Sequence, residues 1–170
     1  PLDGIPITLK DVFDVAGDVT GGNSFAFTGN TSAVADCDVV QSLRRAGAVL
    51  LGKNTLYELC SGDPDEGPAP AARNPWDLTK NPGGSSAGAG AAGAAGYGPL
   101  HVGTDIGGSV RLPAGWCGMV GLKPSRTRYP RDGIRSPVRT LDAVGPITRT
   151  VDDCARLWQV MANEPCEALT

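Results

Sequence analysis

Histidine is nearly absent: His101 is the only one in 170 residues. That excludes any metal site built on two imidazoles, and a Ser–His–Asp triad would have to use this one ring. Five cysteines (Cys37, Cys60, Cys117, Cys154 and Cys166) share no C-x-x-C spacing and, being odd in number, cannot all pair. Thiols in that number and scatter are expected to be free and mostly structural, in a reducing, cytoplasmic compartment. Aromatic residues make up only 5%. No apolar run approaches the roughly 18 residues needed to span a bilayer. The opening Pro1-Leu2-Asp3 is neither basic nor apolar, so it does not read as a secretory signal. It also lacks an initiator Met, and the expectation is a piece of a longer chain. Charge of one sign is lacking too: the net value of −3 gives no reason to expect nucleic acid or an anionic membrane as partner. No G-x-x-x-x-G-K-[ST] run is present, which excludes a P-loop.

Glycine and proline, by contrast, are abundant. Gly 24 and Pro 14 make 38 of 170 residues, without any period. The apolar fraction of 41% and charged fraction of 19% are globular values, and the length suits one domain with a sizeable core. The glycines and prolines therefore read as tight turns around a site.

Periodicity predicts alternating α and β elements. Residues 5–10 form a short apolar strand candidate. Residues 36–45 place Val39, Val40 and Leu43 at helical spacing, with Arg44 and Arg45 in the last turn and Gly47 as a stop. Residues 48–51 follow as a buried strand, giving a helix-to-strand unit typical of α/β folds. Residues 62–82, rich in Pro, Asp and Gly, predict a long surface loop. Residues 86–96 are almost pure Ala and Gly. Each interior Gly costs up to ~1 kcal/mol relative to Ala, so this is a helix only if buried where neighbouring backbones pack closely. Strands are predicted over 99–104 and 120–123. A last helix starts at Thr150, with Asp152 and Asp153 in its first turn and Ala155, Leu157, Val160 and Met161 supplying its apolar positions.

The chemistry concentrates in two serine-bearing glycine clusters, Gly83-Gly84-Ser85-Ser86 and Asp105-Ile106-Gly107-Gly108-Ser109. Flanking glycines allow a sharp turn and close approach of a ligand to main-chain N–H groups. A serine so placed can be a nucleophile beside an oxyanion site, provided a base lies within hydrogen-bond reach. Ile106, Gly107, Gly108 and Ser109 can aim consecutive N–H groups at one point, a nest for an oxyanion in which each donor is worth about 100-fold in rate. Upstream, Lys10 ends the run Gly4-Ile5-Pro6-Ile7-Thr8-Leu9. A lysine acts as base only when neutral, which requires a pKa lowered by desolvation. Taken alone, Lys10 reads as a solvated strand-end lysine, and Ser85 and Ser109 as helix N-caps.

In combination these blocks resemble the amidase signature family of serine hydrolases. Gly4-Ile5-Pro6 with Lys10-Asp11, Ala46-Gly47-Ala48-Val49-Leu50-Leu51-Gly52-Lys53 and Arg73-Asn74-Pro75-Trp76-Asp77 look like its early segments. Pro82 to Ser86 and Gly103 to Arg111 resemble the heart of the signature, and Cys117 to Pro124 and Leu141 to Pro146 its downstream blocks. The resemblance implies an α/β fold whose mixed sheet is covered by helices. It also implies that segment 1–170 lacks the N-terminal and C-terminal parts usual in the family. Its catalytic set would be Ser109 as nucleophile, Ser85 as bridging serine after a cis peptide, and Lys10 as base. Ser86 would support them, and Asp105 and Arg111 would hold the loop in shape. The reaction implied is hydrolysis of a carboxylic amide, or an ester, through an acyl-serine. The partner implied is a small-molecule amide, with neither cofactor nor metal, and a homodimer is an admissible assembly. The glycine and serine usual after the Ser-Ser pair are Ala87 and Ala89 here.

Two other readings compete. The chain could be a catalytically silent fragment, with the triad present but the substrate walls missing. Or Gly88-x-Gly90-x-x-Gly93 could be a dinucleotide fingerprint, with Asp105 as the ribose acid. The strand that such a fingerprint needs before its first glycine is absent, and Pro82 argues against one. His101 and Cys117 read as core residues.

Overall fold

The computed structural model describes residues 1–27, 29–129 and 131–164. Five strands form one mixed sheet: β1 (Pro6–Lys10), β2 (Val49–Asn54), β3 (Leu100–Asp105), β4 (Val120–Gly121) and β5 (Ala143–Thr148), in the order β2-β1-β3-β5-β4. Strand β1 lies parallel to both β2 and β3, whereas β5 runs antiparallel to β3 and β4. Helices α1 (Asp38–Arg45), α2 (Ala87–Ala94), α3 (Arg111–Cys117) and α4 (Val151–Ala162) cover it. The expected mixed α/β architecture is present.

Strand β1 shows how the sheet divides its two faces, because successive side chains on a strand point to opposite sides. Ile7 and Leu9 enter the larger core with Val39, Val40 and Leu43 of α1 and Leu157 and Met161 of α4. Thr8 and Lys10 turn the other way. A smaller core on that side joins Ala89 of α2 and Val110 and Ala114 by α3 to Ile147 of β5. Helix α4 begins where its sequence pattern predicts, with Thr150 accepting the Asp153 N–H as a side-chain cap.

The Ala/Gly helix α2 is buried, and its glycines mark close approaches. A Cβ on Gly88 would lie 2.7 Å from the Thr55 carbonyl oxygen, and one on Gly93 would lie 2.3 Å from the Met119 methyl. The Gly88-x-Gly90-x-x-Gly93 pattern thus serves helix packing, which removes the dinucleotide reading. Ser86 occupies the cap position of α2 but makes no capping bond. Residues 62–82 carry neither helix nor strand among the described residues, as the composition predicts.

Three expectations need correction. Strand β4 is two residues long, not four. Strand β2 is not a buried strand: it lies at the sheet edge with Val49 and Leu51 exposed, because β1 flanks it on one side only. Helix α3 and strand β5 form where apolar spacing announces neither. Cys37, Cys60, Cys117 and Cys154 are free thiols, as expected, while Cys166 lies outside the described residues. No helix among the described residues is long and apolar enough to cross a membrane.

Candidate active site

Lys10 ends β1 with its side chain fully buried. Its Nζ lies 2.8 Å from Ser85 Oγ and 3.0 Å from Thr104 Oγ1 near the end of β3. Burial lowers its pKa below the ordinary lysine value, and the Cys60 thiol and the carboxylates of Asp142 and Asp105 oppose that only in part. Among the described residues Lys10 Nζ has two hydroxyl neighbours and no carboxylate in hydrogen-bond contact, and such an amine can accept a proton when it is neutral.

Ser85 follows a cis Gly84–Ser85 peptide and is buried. Its carbonyl accepts the Tyr57 N–H at 3.1 Å, and the Tyr57 ring lies against Gly84. A Cβ on Gly84 would sit 2.3 Å from that ring, so the position demands glycine. The Tyr57 hydroxyl donates to Asn81 Oδ1 at 2.6 Å, fixing the ring. Next in the chain, Ser86 donates its hydroxyl to the Thr104 carbonyl at 3.3 Å and its N–H to the Ser109 carbonyl at 3.2 Å. Those two bonds lay the first serine cluster against the second.

The second cluster is organised by Asp105, which is fully buried. Its carboxylate accepts the N–H groups of Gly108 at 2.7 Å, Val110 at 3.1 Å and Arg111 at 3.3 Å. It also accepts Nε and Nη2 of Arg111, each at 3.0 Å. Burial alone would raise its pKa, but Arg111 and the three N–H groups outweigh it and hold the carboxyl below the usual range. Asp105 therefore shapes the loop and covers the N-terminus of α3. One part of the oxyanion expectation is corrected here. The Gly108 N–H is spent on Asp105. Among the described residues, the N–H groups of Ile106, Gly107 and Ser109 have no acceptor.

Lys10, Ser85, Ser86, Asp105 and Ser109 are thus brought into one neighbourhood, with Arg111 clasping it from the half-exposed side. Ser109 is half-buried, and its Oγ has no hydrogen-bond partner among the described residues. The hydrogen-bonded chain runs from Lys10 to Ser85 and does not continue to Ser109. His101 lies elsewhere. Its Nε2 donates to the Gly98 carbonyl at 3.3 Å, so Nδ1 accepts the Thr8 hydroxyl at 2.7 Å. Burial pushes its pKa down to about 4, as suits a neutral core ring. Burial raises the Cys117 thiol to about 11. Three residues that act on the lysine receive no role from the sequence: Cys60 lies outside the motif blocks, and Thr104 and Asp142 lie within them. Thr104 stands beside Asp105 in the second cluster, but nothing in its spacing points to a lysine partner 94 positions upstream.

Comparison with known proteins decides the family. The amidase family model matches residues 1–167. The chain belongs to the amidase signature family. It is 44% identical over 169 residues to one subunit of the glutamyl-tRNA(Gln) amidotransferase of Alkaliphilus metalliredigens, covering 98% of this chain and 34% of that protein. Among solved structures, the corresponding subunit of the Thermotoga maritima glutamyl-tRNA(Gln) amidotransferase superposes with a TM-score of 0.88 at 39% identity, over 95% of this chain and 36% of the other. The peptide amidase of Stenotrophomonas maltophilia does so with 0.85 at 34% identity, over 100% and 38%. This amidase-family chain spans about a third of the length of the curated relatives it matches.

Proposed function

We propose that this segment carries the catalytic core of an amidase working through an acyl-serine. The observation that carries the reading is the 2.8 Å contact between Ser85 Oγ and a fully buried Lys10 Nζ. Neutral Lys10 takes the Ser85 hydroxyl proton while Ser85 takes that of Ser109. Rotation of the Ser109 side chain on substrate binding closes this second link. Ser109 Oγ then attacks the amide carbon, and the oxyanion is held by the free N–H groups of Ile106, Gly107 and Ser109. Collapse breaks the C–N bond, and the leaving nitrogen takes its proton from Ser85, which Lys10 reprotonates. Water repeats the sequence on the acyl-serine and releases the acid. Thr104 holds Lys10 Nζ in line, and Asp105 with Arg111 keeps the donor loop in shape. The activity is that of the whole protein, of which the substrate walls are a part.

The test uses the complete chain carrying this segment. A fluorophosphonate probe should label Ser109, as read by mass spectrometry of the modified peptide. Ser109→Ala should lose the label, and His101→Ala should keep it. Loss of labelling in the His101 variant would instead place the ring in the mechanism. A second reading, favoured by the 44% identity to part of an amidotransferase, is that the released nitrogen is handed to an acceptor. On that reading the free ammonia per acid formed should fall below one once an acceptor is supplied, and a ratio that stays at one argues against it.

A further inference from the structure

A cavity of about 280 Å³ lies one side chain away from the buried lysine, across Cys60, and the mechanism above makes no use of it. Its walls are mostly apolar, formed by Val12, Phe27, Leu59 and Pro137, with Ser136 adding a hydroxyl. Cys60, whose thiol faces Lys10, lines it as well. Two backbone bonds tie that wall to the site, since the Cys60 N–H donates to the Tyr57 carbonyl and the Tyr57 N–H to the Ser85 carbonyl. A third, from the Leu59 N–H to the Gly22 carbonyl, closes the wall against the loop that follows β1.

One charge stands at the cavity, that of Arg135. Its guanidinium lies over the Phe27 ring at 5.3 Å, a platform that orients it without using its donors. Asp14 Oδ1 is 3.7 Å from Nε, an ion-pair separation too long for a hydrogen bond. That same oxygen accepts the Thr20 hydroxyl at 2.6 Å. Among the described residues, none of the five guanidinium N–H groups of Arg135 meets an acceptor. A planar fork of unspent donors suits a carboxylate, which it can bind through two parallel bonds.

We infer that the substrate is an amide with a short apolar arm ending in an anionic group, the arm filling this cavity and the anion docking on Arg135. The inference rests on the amidase reading for the site and adds the class of substrate. An apolar wall alone gives modest discrimination between arms of similar size, whereas a charge pair at the end of the arm rejects neutral analogues more strongly.

The test separates the two readings. Binding is measured by calorimetry on the complete protein carrying Ser109→Ala, so no turnover is needed. The half-amides from succinamic to adipamic acid are compared with the methyl-ended amides of the same length. At the best length the acid-ended amide should bind at least tenfold tighter. Arg135→Gln should erase the preference, Arg135→Lys should keep part of it, and raising the salt to about 0.5 M should weaken it in the Arg135 protein. Equal binding of both series at every length overturns the inference, as does a preference that survives Arg135→Gln. Should the glutamine variant fail to fold, the salt series on the Arg135 protein decides. Failure of fluorophosphonate labelling at Ser109 would strike the catalytic reading and leave this binding result standing.

Discussion

Asp105 and Arg111 meet through two parallel bonds of 3.0 Å, yet the two partners are unequally placed, the arginine side chain being 53% exposed and the carboxylate wholly buried. Removing the exposed partner leaves Asp105 with its three backbone donors. Changing the buried partner to asparagine replaces one acceptor oxygen by an NH2 group, which strands either the Gly108 N–H or those of Val110 and Arg111 at the turn that carries the proposed nucleophile. We therefore expect Asp105→Asn to lower kcat/KM by about 100-fold or more, the scale of a disordered oxyanion site. Arg111→Gln should cost about tenfold, since an ion pair with one solvated partner contributes little. Steady-state kinetics with fold checked by circular dichroism compares them, and an arginine variant more damaged than the asparagine one would reverse the argument.

Thr104 Oγ1 accepts from Lys10 Nζ and so favours the ammonium form. Thr104→Val removes that acceptor at nearly constant volume. The pKa of Lys10 should fall further, moving the acidic limb of kcat/KM to lower pH. The plateau should drop by about tenfold, because the amine loses a partner that aims it at Ser85. An unmoved limb would mean that Thr104 does not touch the working lysine.

His101 couples the fold to acid. Its pKa is about 4 in the buried Thr8–Gly98 setting and near 6.5 when unfolded. Between those values the unfolded chain binds a proton that the folded chain does not. Stability should therefore be full above pH 6.5 and fall as pH drops towards 4, by about 3 kcal/mol at the lower end. His101→Gln should flatten that slope while lowering the unfolding temperature at pH 7. Melting temperatures across pH 4 to 7.5 read both effects.

Much of this architecture is legible in the sequence, and the gaps have physical causes. Strands β1, β2 and β3 and helices α1 and α4 follow from apolar spacing, and α2 follows from the logic of small residues in a buried helix. Helix α3 contains Pro113 and Gly115 within seven residues, which local propensity reads as loop. It forms because Pro113 sits in the first turn, where its missing N–H costs nothing, and because Asp105 gathers the N–H groups ahead of it. Strand β5 contains Pro146, a residue foreign to central strands. The carbonyl of Pro146 accepts the Leu122 N–H, so its nitrogen also faces the β4 side. There β4 has ended at Gly121. The candidate triad is legible as motifs. The approach of Thr104, Cys60 and Asp142 to Lys10 is not, because only the fold brings residues so distant in sequence to one amine.

The last prediction concerns Lys10 itself. Its burial lowers the pKa, and the Cys60 thiol and the carboxylates of Asp142 and Asp105 do not restore it. The amine must be neutral to accept the Ser85 proton, so activity should be lost as pH falls through that lowered value. The acidic limb of kcat/KM should lie well below the free lysine value of about 10.4. Lys10→Ala removes the base and should abolish most activity. Lys10→Arg should be nearly as damaging although the charge is kept, because a guanidinium does not deprotonate in the working range. It would also place a permanent cation in a pocket that holds an amine against Ser85 and Thr104. Lys10→Arg retaining most of its activity, with the limb unmoved, would show that position 10 supplies charge alone, and the base would then have to be sought at another residue.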